Sequence, residues 1–344
     1  MTMRTPDHHY GIDLGGTKIE LVACDAGPAA DLAVRYRRRI ATPGADYAAL
    51  VEALLDLVRG ADAELGGSAA IGIGVPGIVD AASGTHLCAN VPCLTGRELL
   101  PVLRQRLDRP IVLGNDCQCF ALSEAHGGAA DGAASAFGLI LGTGAGAGYV
   151  VQGRLVRGLH GAAGEWGHWP LDPALLDAYD LPLLPCACGR SACLESYVSG
   201  TGLRRLHAHF GGSGDSAEIL AERRAAGEPL AGRVFDAHLD LLGAALARIV
   251  LAYDPHVIVL GGGLSRLRHL YAGLPDAIRH HLIPGLGVPP ILPPVFGDAG
   301  GARGAALLAR HTFDSCAALL ARQALHSSAA LPARQTSHST HREP

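Results

Sequence analysis

Three of the nine cysteines fall within eight residues, in the run Cys186-Ala-Cys188-Gly-Arg-Ser-Ala-Cys193. Upstream lies Glu165-Trp166-Gly167-His168. Thiolate sulfur and imidazole nitrogen are the ligands that tetrahedral zinc favours, and three cysteines with one histidine close the shell with no open position. Such a closed set (His168, Cys186, Cys188, Cys193) reads as a structural site. The competing reading is a cluster of ordinary buried thiols, because the spacing is tighter than the common zinc patterns. A redox pair is the weaker idea, since the run holds no Cys-x-x-Cys. Two carboxylates, Glu165 and Glu195, flank the proposed ligands, so a metal that fixes His168 and Cys193 would fix them as well.

A second constellation is Asn115-Asp116, which follows the apolar Ile111-Val112-Leu113. An acid at the carboxyl end of a strand is where open α/β sheets place their chemistry. There a carboxylate can accept the proton of a hydroxyl that attacks a phosphate. The plainer reading is that Asp116 caps the next helix. Asn90, Glu165, His168 and Glu195 offer the amide, carboxylate and imidazole groups that hold sugar hydroxyls, whereas Trp166 and Trp169 read as packing.

Two glycine turns could meet phosphate, because glycine lets backbone N–H groups approach oxygen closely. The first is Gly11-Ile-Asp13-Leu-Gly15-Gly16-Thr17-Lys18, where Asp13 could hold Mg²⁺ through water. It is not a P-loop, because a strand follows it and the Gly-x-x-x-x-Gly-Lys spacing is missing. The second runs from Gly142 to Gly148 and includes Thr143, Gly144 and Gly146. Gly261-Gly262-Gly263 could make room for adenosine or could be an ordinary strand-to-helix turn. Gly72-Ile-Gly74-Val-Pro-Gly77 matches a dinucleotide fingerprint literally, with Glu98 about twenty residues on. However, no helix opens there and Pro76 removes a donor, so a Rossmann dehydrogenase is set aside.

These residues need elements to hold them. Tyr10–Leu14 and Ile19–Cys24 read as a hairpin across the first glycine turn, with Leu32–Ile40 a third strand. Tyr47–Leu65 carries Leu50, Leu54, Leu57 and Val58 at helical spacing. Strands at Ala69–Val75 and Ile111–Leu113 alternate with helices at Leu99–Leu107 and Cys117–His126. The pattern then restarts with the strand Phe137–Leu141, the second glycine loop and the strand Tyr149–Gln152. Helices are expected at Leu203–Phe210, Ser216–Ala226, Pro229–Tyr253, Leu270–Leu282 and Ala302–Arg322, and strands at Val257–Leu260 and Ile291–Val295. Two halves that begin alike predict a duplicated α/β fold with a cleft between them. The division expected is residues 1–117, completed by the helix over 302–323, and residues 118–301, carrying the zinc insertion at 158–200. The Ser-, His- and Arg-rich stretch 326–344 is expected to be disordered.

At 344 residues the chain is long enough for about two domains. A formal net charge of -4 without a basic block gives no reason to expect nucleic acid as a partner. Positions 1–10 have no apolar signal core, and Arg248 and Asp254 interrupt the apolar run 241–260, so neither secretion nor a membrane span is expected. An odd number of scattered cysteines fits a reducing cytoplasm. Positive charge rests on 27 arginines and one lysine, Lys18, and the only asparagines are Asn90 and Asn115. All three rare residues lie in the motifs above.

Taken together, Gly11–Lys18, Asn115-Asp116, Gly142–Gly148, Gly164-Glu165-Trp166-Gly167-His168 and Cys186-x-Cys188-Gly-x-x-x-Cys193-x-Glu195 resemble the ROK family (repressors, open reading frames and kinases) of actin-like, ribonuclease H-like ATPases. The resemblance spans about Tyr10 to His311. Ala89-Asn90-Val91-Pro92, Cys119–Ala125 and Gly297–Gly301 are most similar to the bacterial N-acetyl-D-glucosamine kinases of that family. The resemblance implies ATP with Mg²⁺ at the glycine loops and Asp116 as the base for the sugar 6-hydroxyl. It also implies sugar contacts from Asn115, Glu165, His168 and Glu195, and zinc on His168, Cys186, Cys188 and Cys193. Related kinases are often dimers, so a homodimer is expected to be an option. One position departs from the family pattern: Ala192 stands where glycine usually precedes the third cysteine.

The expected activity is phosphorylation of N-acetyl-D-glucosamine, with glucose, N-acetylmannosamine and fructose open as substrates. A sugar-responsive regulator of the same fold would need a DNA-binding domain before the first strand, where only about nine residues stand. An actin-like chaperone or filament ATPase would have no use for the flanking carboxylates.

Overall fold

A computed structural model describes residues 8–25, 32–79, 83–88, 90–297 and 300–329, with side chains as far as Asp314. The first half contains β1 (His8–Leu14), β2 (Lys18–Asp25), β3 (Val34–Ala41), α1 (Tyr47–Leu65), β4 (Ile71–Val75), β5 (Ile78–Val79), β6 (His86–Leu87), α2 (Leu100–Leu107) and β7 (Ile111–Asn115). Then come α3 (Asp116–Glu124), β8 (Ser135–Leu141), β9 (Ala145–Val151), β10 (Arg154–Val156), α4 (Pro173–Ala178) and α5 (Glu195–Val198). The chain closes with α6 (Gly200–His209), α7 (Ala217–Ala225), α8 (Pro229–Tyr253), β11 (Val257–Gly261), α9 (Arg268–His281), β12 (Ile291–Leu292) and α10 (Gly300–Ala329).

The restart expected from the sequence appears as two five-stranded sheets of the same topology. One runs β3-β2-β1-β4-β7 and the other β10-β9-β8-β11-β12. In each, a hairpin of three antiparallel strands leads into two parallel ones. Each strand divides its residues by parity. Tyr10, Ile12, Leu14, Leu21 and Ala23 join the core under α1, while Val22 and Cys24 turn to the alanines of α10. Phe137, Leu139 and Leu141 face the core of α8, and Ala136 faces Phe120 of α3. Side chains alternate across a strand, so one sheet can serve two helical layers.

The layer between the sheets is made of α3 and α10, and it is thin. A Cβ on Gly304 of α10 would stand 1.7 Å from the Cys119 carbonyl oxygen of α3, so only glycine permits that approach. Ala302, Ala305, Ala306 and Ala309 keep the rest of the α10 face small. The C-terminal helix therefore packs on β1 and β4 of the first sheet as well as on α3.

Several boundaries differ from expectation. β9 opens at Ala145, four residues earlier than expected, which shortens the second glycine loop to Gly142–Gly144. β12 ends at Leu292 because Pro293-Pro294 cannot continue a ladder. α10 runs to Ala329, past the expected start of a disordered tail at 326, while 330–344, Ala89 and Asp298-Ala299 lie outside the described residues. The literal dinucleotide fingerprint is a packing motif. A Cβ on Gly72 would meet the Ala305 carbonyl oxygen at 1.8 Å, one on Gly74 the Cys119 Sγ at 3.3 Å, and Gly77 sits at φ +84°.

Candidate active site

β7 and α3 meet at Asn115-Asp116, at the carboxyl end of the first sheet. Asn115 is the helix cap, a role the sequence reading had offered to Asp116. Its Oδ1 accepts from the Cys117 amide at 2.8 Å, and its Nδ2 donates to the Gly77 carbonyl at 3.2 Å. Asp116 accepts from the same amide at 2.9 Å. Burial raises the Asp116 carboxyl above the usual carboxylate range, and the Cys117 hydrogen bonds only partly offset this.

A cleft of about 490 Å³ opens in front of this junction. Asn90, Asn115, Asp116, Glu165, His168 and Glu195, all six residues expected to touch sugar, line it. Glu165 sits at the start of a short 3-10 turn, Trp166–His168. Burial, then the negative charges of Asp116 and Glu195, push its carboxyl up to about 7. Three carboxylates crowding one cleft favour a ligand rich in donors. Trp166 is buried, and Trp169 stacks on Tyr253 with ring centroids 6.5 Å apart, so the tryptophans pack as expected.

The glycine turns divide. Gly142, Thr143, Gly144 and Gly146 line the cleft. Gly144 also makes way for a carboxylate, since a Cβ there would meet Glu195 Oε2 at 2.8 Å. The turn Gly15–Lys18 closes with an amide-to-carbonyl bond of 2.9 Å and lies against the cleft residue Asn90, whose carbonyl oxygen a Cβ on Gly16 would meet at 2.6 Å. The four residues of this turn lie outside the lining of the cleft itself, and Asp13 packs its carboxylate against Gly301 at the start of α10. Three expected nucleotide glycines face helices instead. Cβ atoms on Gly11, Gly148 and Gly261 would meet the Ala302 carbonyl at 1.9 Å, Gln118 Cα at 2.7 Å and the Phe120 ring at 2.6 Å. Gly262 is held at φ +76°, where a Cβ would strike the Leu141 carbonyl at 2.5 Å. Its glycine is required by the turn after β11.

His168, Cys186, Cys188 and Cys193 bring one ligand atom each to within 4.8 Å of one another. Cys186 Sγ lies 3.5 Å from His168 Nδ1, and Cys188 Sγ 3.6 Å from Cys193 Sγ. A zinc ion bound at about 2.3 Å to sulfur and about 2.0 Å to nitrogen has tetrahedral edges of about 3.5–3.8 Å. The residues therefore fit that ion. The cluster touches the cleft directly: the Cys186 thiol donates to Glu195 Oε1 at 3.1 Å, and His168 Nε2 stands 3.7 Å from Glu165 Oε2. Ala192 is in the left-handed region at φ +58°, so the position does call for the glycine it lacks.

Thr95, Ser199, Thr201 and Arg205 also line the cleft, and sequence reasoning passed over them. Ser199 carried one signal, a cap spacing, since its side chain accepts from the Gly202 amide at the start of α6. The others are common residue types in unmarked surroundings, and only the fold gathers them.

The family model for ROK matches residues 9–312. The chain belongs to the ROK family. It is 43% identical over 309 residues to an N-acetylgalactosamine kinase of Shewanella sp. (strain ANA-3), covering 89% of this chain and 98% of the relative. It is 41% identical over 309 residues to an N-acetyl-D-glucosamine kinase of Pectobacterium carotovorum, covering 89% of this chain and 100% of that one. The ROK hexokinase of Thermus thermophilus superposes with a TM-score of 0.79 at 32% identity, over 90% of this chain and 99% of the hexokinase. In this ROK chain no helix among the described residues is long and apolar enough to cross a membrane.

Proposed function

We propose that this chain is an ATP-dependent kinase that phosphorylates the 6-hydroxyl of N-acetyl-D-glucosamine. The observation that carries the reading is the shared cleft, in which Asn90, Asn115, Asp116, Glu165, His168 and Glu195 face the turn Gly142–Gly144. The amides, imidazole and carboxylates hold the sugar hydroxyls. Asp116 accepts the proton of the 6-hydroxyl as that oxygen attacks the γ-phosphate, and its raised carboxyl makes it a stronger base than a solvated aspartate. The backbone of Gly142–Gly144 and of Gly15–Thr17, on opposite halves, grips the triphosphate. Asp13 would hold Mg²⁺, which would supply neutralisation of the phosphate charge. Most of the rate comes from alignment in a closed cleft.

Zinc is assigned to His168, Cys186, Cys188 and Cys193 as a structural ion that holds His168, Glu165 and Glu195 in place. The cut between the domains is taken after residue 117, at the start of α3, and the enzyme is read as cytoplasmic. A homodimer is an expectation that sedimentation can settle.

A second reading has a specific observation behind it. The relative at 43% identity is an N-acetylgalactosamine kinase, whose sugar differs from N-acetyl-D-glucosamine only at C4. A coupled ADP-release assay over N-acetylglucosamine, N-acetylgalactosamine, N-acetylmannosamine, glucose and fructose decides. N-acetyl-D-glucosamine is expected to give the highest kcat/KM. A preference for glucose or fructose overturns the reading.

A further inference from the structure

A smaller cavity of about 80 Å³ branches from the cleft, sharing Gly77, Ile78, Asn115 and Glu165 with it. That is several waters' worth of room. Its walls are largely apolar, formed by Val75, Ile78, Val79, Leu113 and Ala162. Most of its polar groups are already committed. Arg157 Nη2 donates to the Leu113 carbonyl at 2.8 Å. Gln118 Nε2 donates to the Gly161 and Ala163 carbonyls at 2.8 and 3.1 Å, pinning the loop that closes the cavity from the second half. The Asn115 amide is held by Gly77 and Cys117.

Of the remaining polar side chains, His160 is exposed to solvent and Glu165 is shared with the main cleft, which leaves His86 as the buried one. It lines the cavity, its side chain is 3% exposed, and neither ring nitrogen has a hydrogen-bond partner among the described residues. A buried polar group without a partner is rare, and in a native protein it signals something missing from the picture. The backbone of His86 is firmly placed, since its amide donates to the Arg97 carbonyl at 3.0 Å and its carbonyl accepts from the Gly96 amide at 2.8 Å. With the backbone fixed and the residue buried, the ring has little room to turn toward solvent.

We propose that this side pocket receives the 2-acetamido group of the sugar, with the methyl against the apolar wall and the amide paired to His86. The inference rests on the reading of this chain as an N-acetylhexosamine kinase. The chemistry matches on both counts. An acetamido group is apolar at its tip and carries one acceptor and one donor, and a neutral imidazole also offers one of each. A sugar with a bare 2-hydroxyl would leave the apolar wall unfilled and His86 unpaired. A site built to pair with a polar group discriminates sharply against a ligand that lacks it. The two acetamido sugars named for the close relatives differ at C4 and share this group, so the pocket would serve either.

The test is the ratio of kcat/KM for N-acetyl-D-glucosamine over D-glucose in the full chain. His86→Leu keeps bulk and removes the polar partner, and the ratio is expected to fall roughly 10- to 100-fold, with His86→Asn recovering part of it. An unchanged ratio in folded His86→Leu overturns the pocket assignment. A second measurement needs no variant: N-butanoyl-D-glucosamine is too long for a cavity closed by the loop, so the wild type should use it at least about tenfold less well than the acetyl sugar. Equal use of the two would mean that the acyl chain points into the open cleft, and the assignment falls. The two failures are separable. A wild type that prefers glucose sinks the substrate reading, whereas one that prefers the acetamido sugar but keeps its ratio in His86→Leu sinks only the pocket.

Discussion

At the scale of single residues, Asp116 joins function and stability in opposite senses. Its carboxyl is raised in the folded protein chiefly by burial. A carboxyl raised on folding adds stability below its unfolded pKa of about 3.9, and that contribution is lost as pH rises through the folded value. At pH 8 the buried charge is therefore a destabilising group. Asp116→Asn keeps an oxygen for the Cys117 amide and removes the charge. Turnover should drop by about 10²–10⁴-fold or more while sugar binding persists. The variant should melt higher than wild type at pH 8, and the gap should close as pH is lowered toward 4. Wild-type kcat should fall as pH drops through the raised value, since the base must be ionised. Near-normal turnover in Asp116→Asn would end the mechanism, and a lower melting temperature at pH 8 would end the account of the buried charge. The Asn115-Asp116 pair and the cysteine run stood out in the sequence because asparagine occurs only twice and three of the nine cysteines fall within eight residues. His86 did not, because a lone histidine in a two-residue strand looks like any other until its surroundings are seen to offer it nothing.

At the scale of elements, the glycines carried two messages that the sequence could not separate. Some line the cleft, as at Gly142–Gly144. Others stand where a helix does, and Gly11, Gly72, Gly148 and Gly304 belong to this second kind. Both uses rest on the same property, the missing Cβ, so spacing alone cannot tell them apart. The helix that approaches β1 and β4 lies more than 200 residues downstream of them, beyond the reach of local pattern. Gly72→Ala tests the packing use. The added methyl would stand 1.8 Å from the backbone oxygen of Ala305, and backbone has no rotamer to escape through. The expected loss is about 2–4 kcal/mol of unfolding free energy, read from the urea midpoint, with KM for both substrates little changed in the protein that remains folded. A dinucleotide role would instead leave stability intact.

At the scale of the whole molecule, the duplicated sheets were visible from the sequence because strand, glycine turn and strand occur twice in order. The α3–α10 layer that joins them was visible only in part, as a C-terminal helix assigned to the first half with no partner named in α3. That architecture separates the two proposed subsites. Glu165, His168 and Glu195, assigned above to the sugar, stand at the His168–Cys186–Cys188–Cys193 cluster (the knot), whereas the turn Gly15–Lys18 joins β1 to β2 of the first sheet. The link between knot and nucleotide is narrower: the Ala145 amide donates to Glu195 Oε2 at 3.4 Å, just past the turn Gly142–Gly144. Stripping the ion from the four ligands should therefore act unevenly. With the ion gone, Cys186, Cys188 and Cys193 become protonated thiols and the segments that carry Glu195 and His168 are no longer fixed to one another. Calorimetry after chelation should show sugar affinity weakened by about 10–100-fold, as expected for groups that orient others, and nucleotide affinity changed by no more than about threefold. Elemental analysis should find one zinc per chain beforehand. If chelation weakened the nucleotide first, the knot would have to reach the phosphates through Glu195 and Gly144 rather than the sugar, and Glu195 would then be a gate on the second glycine turn.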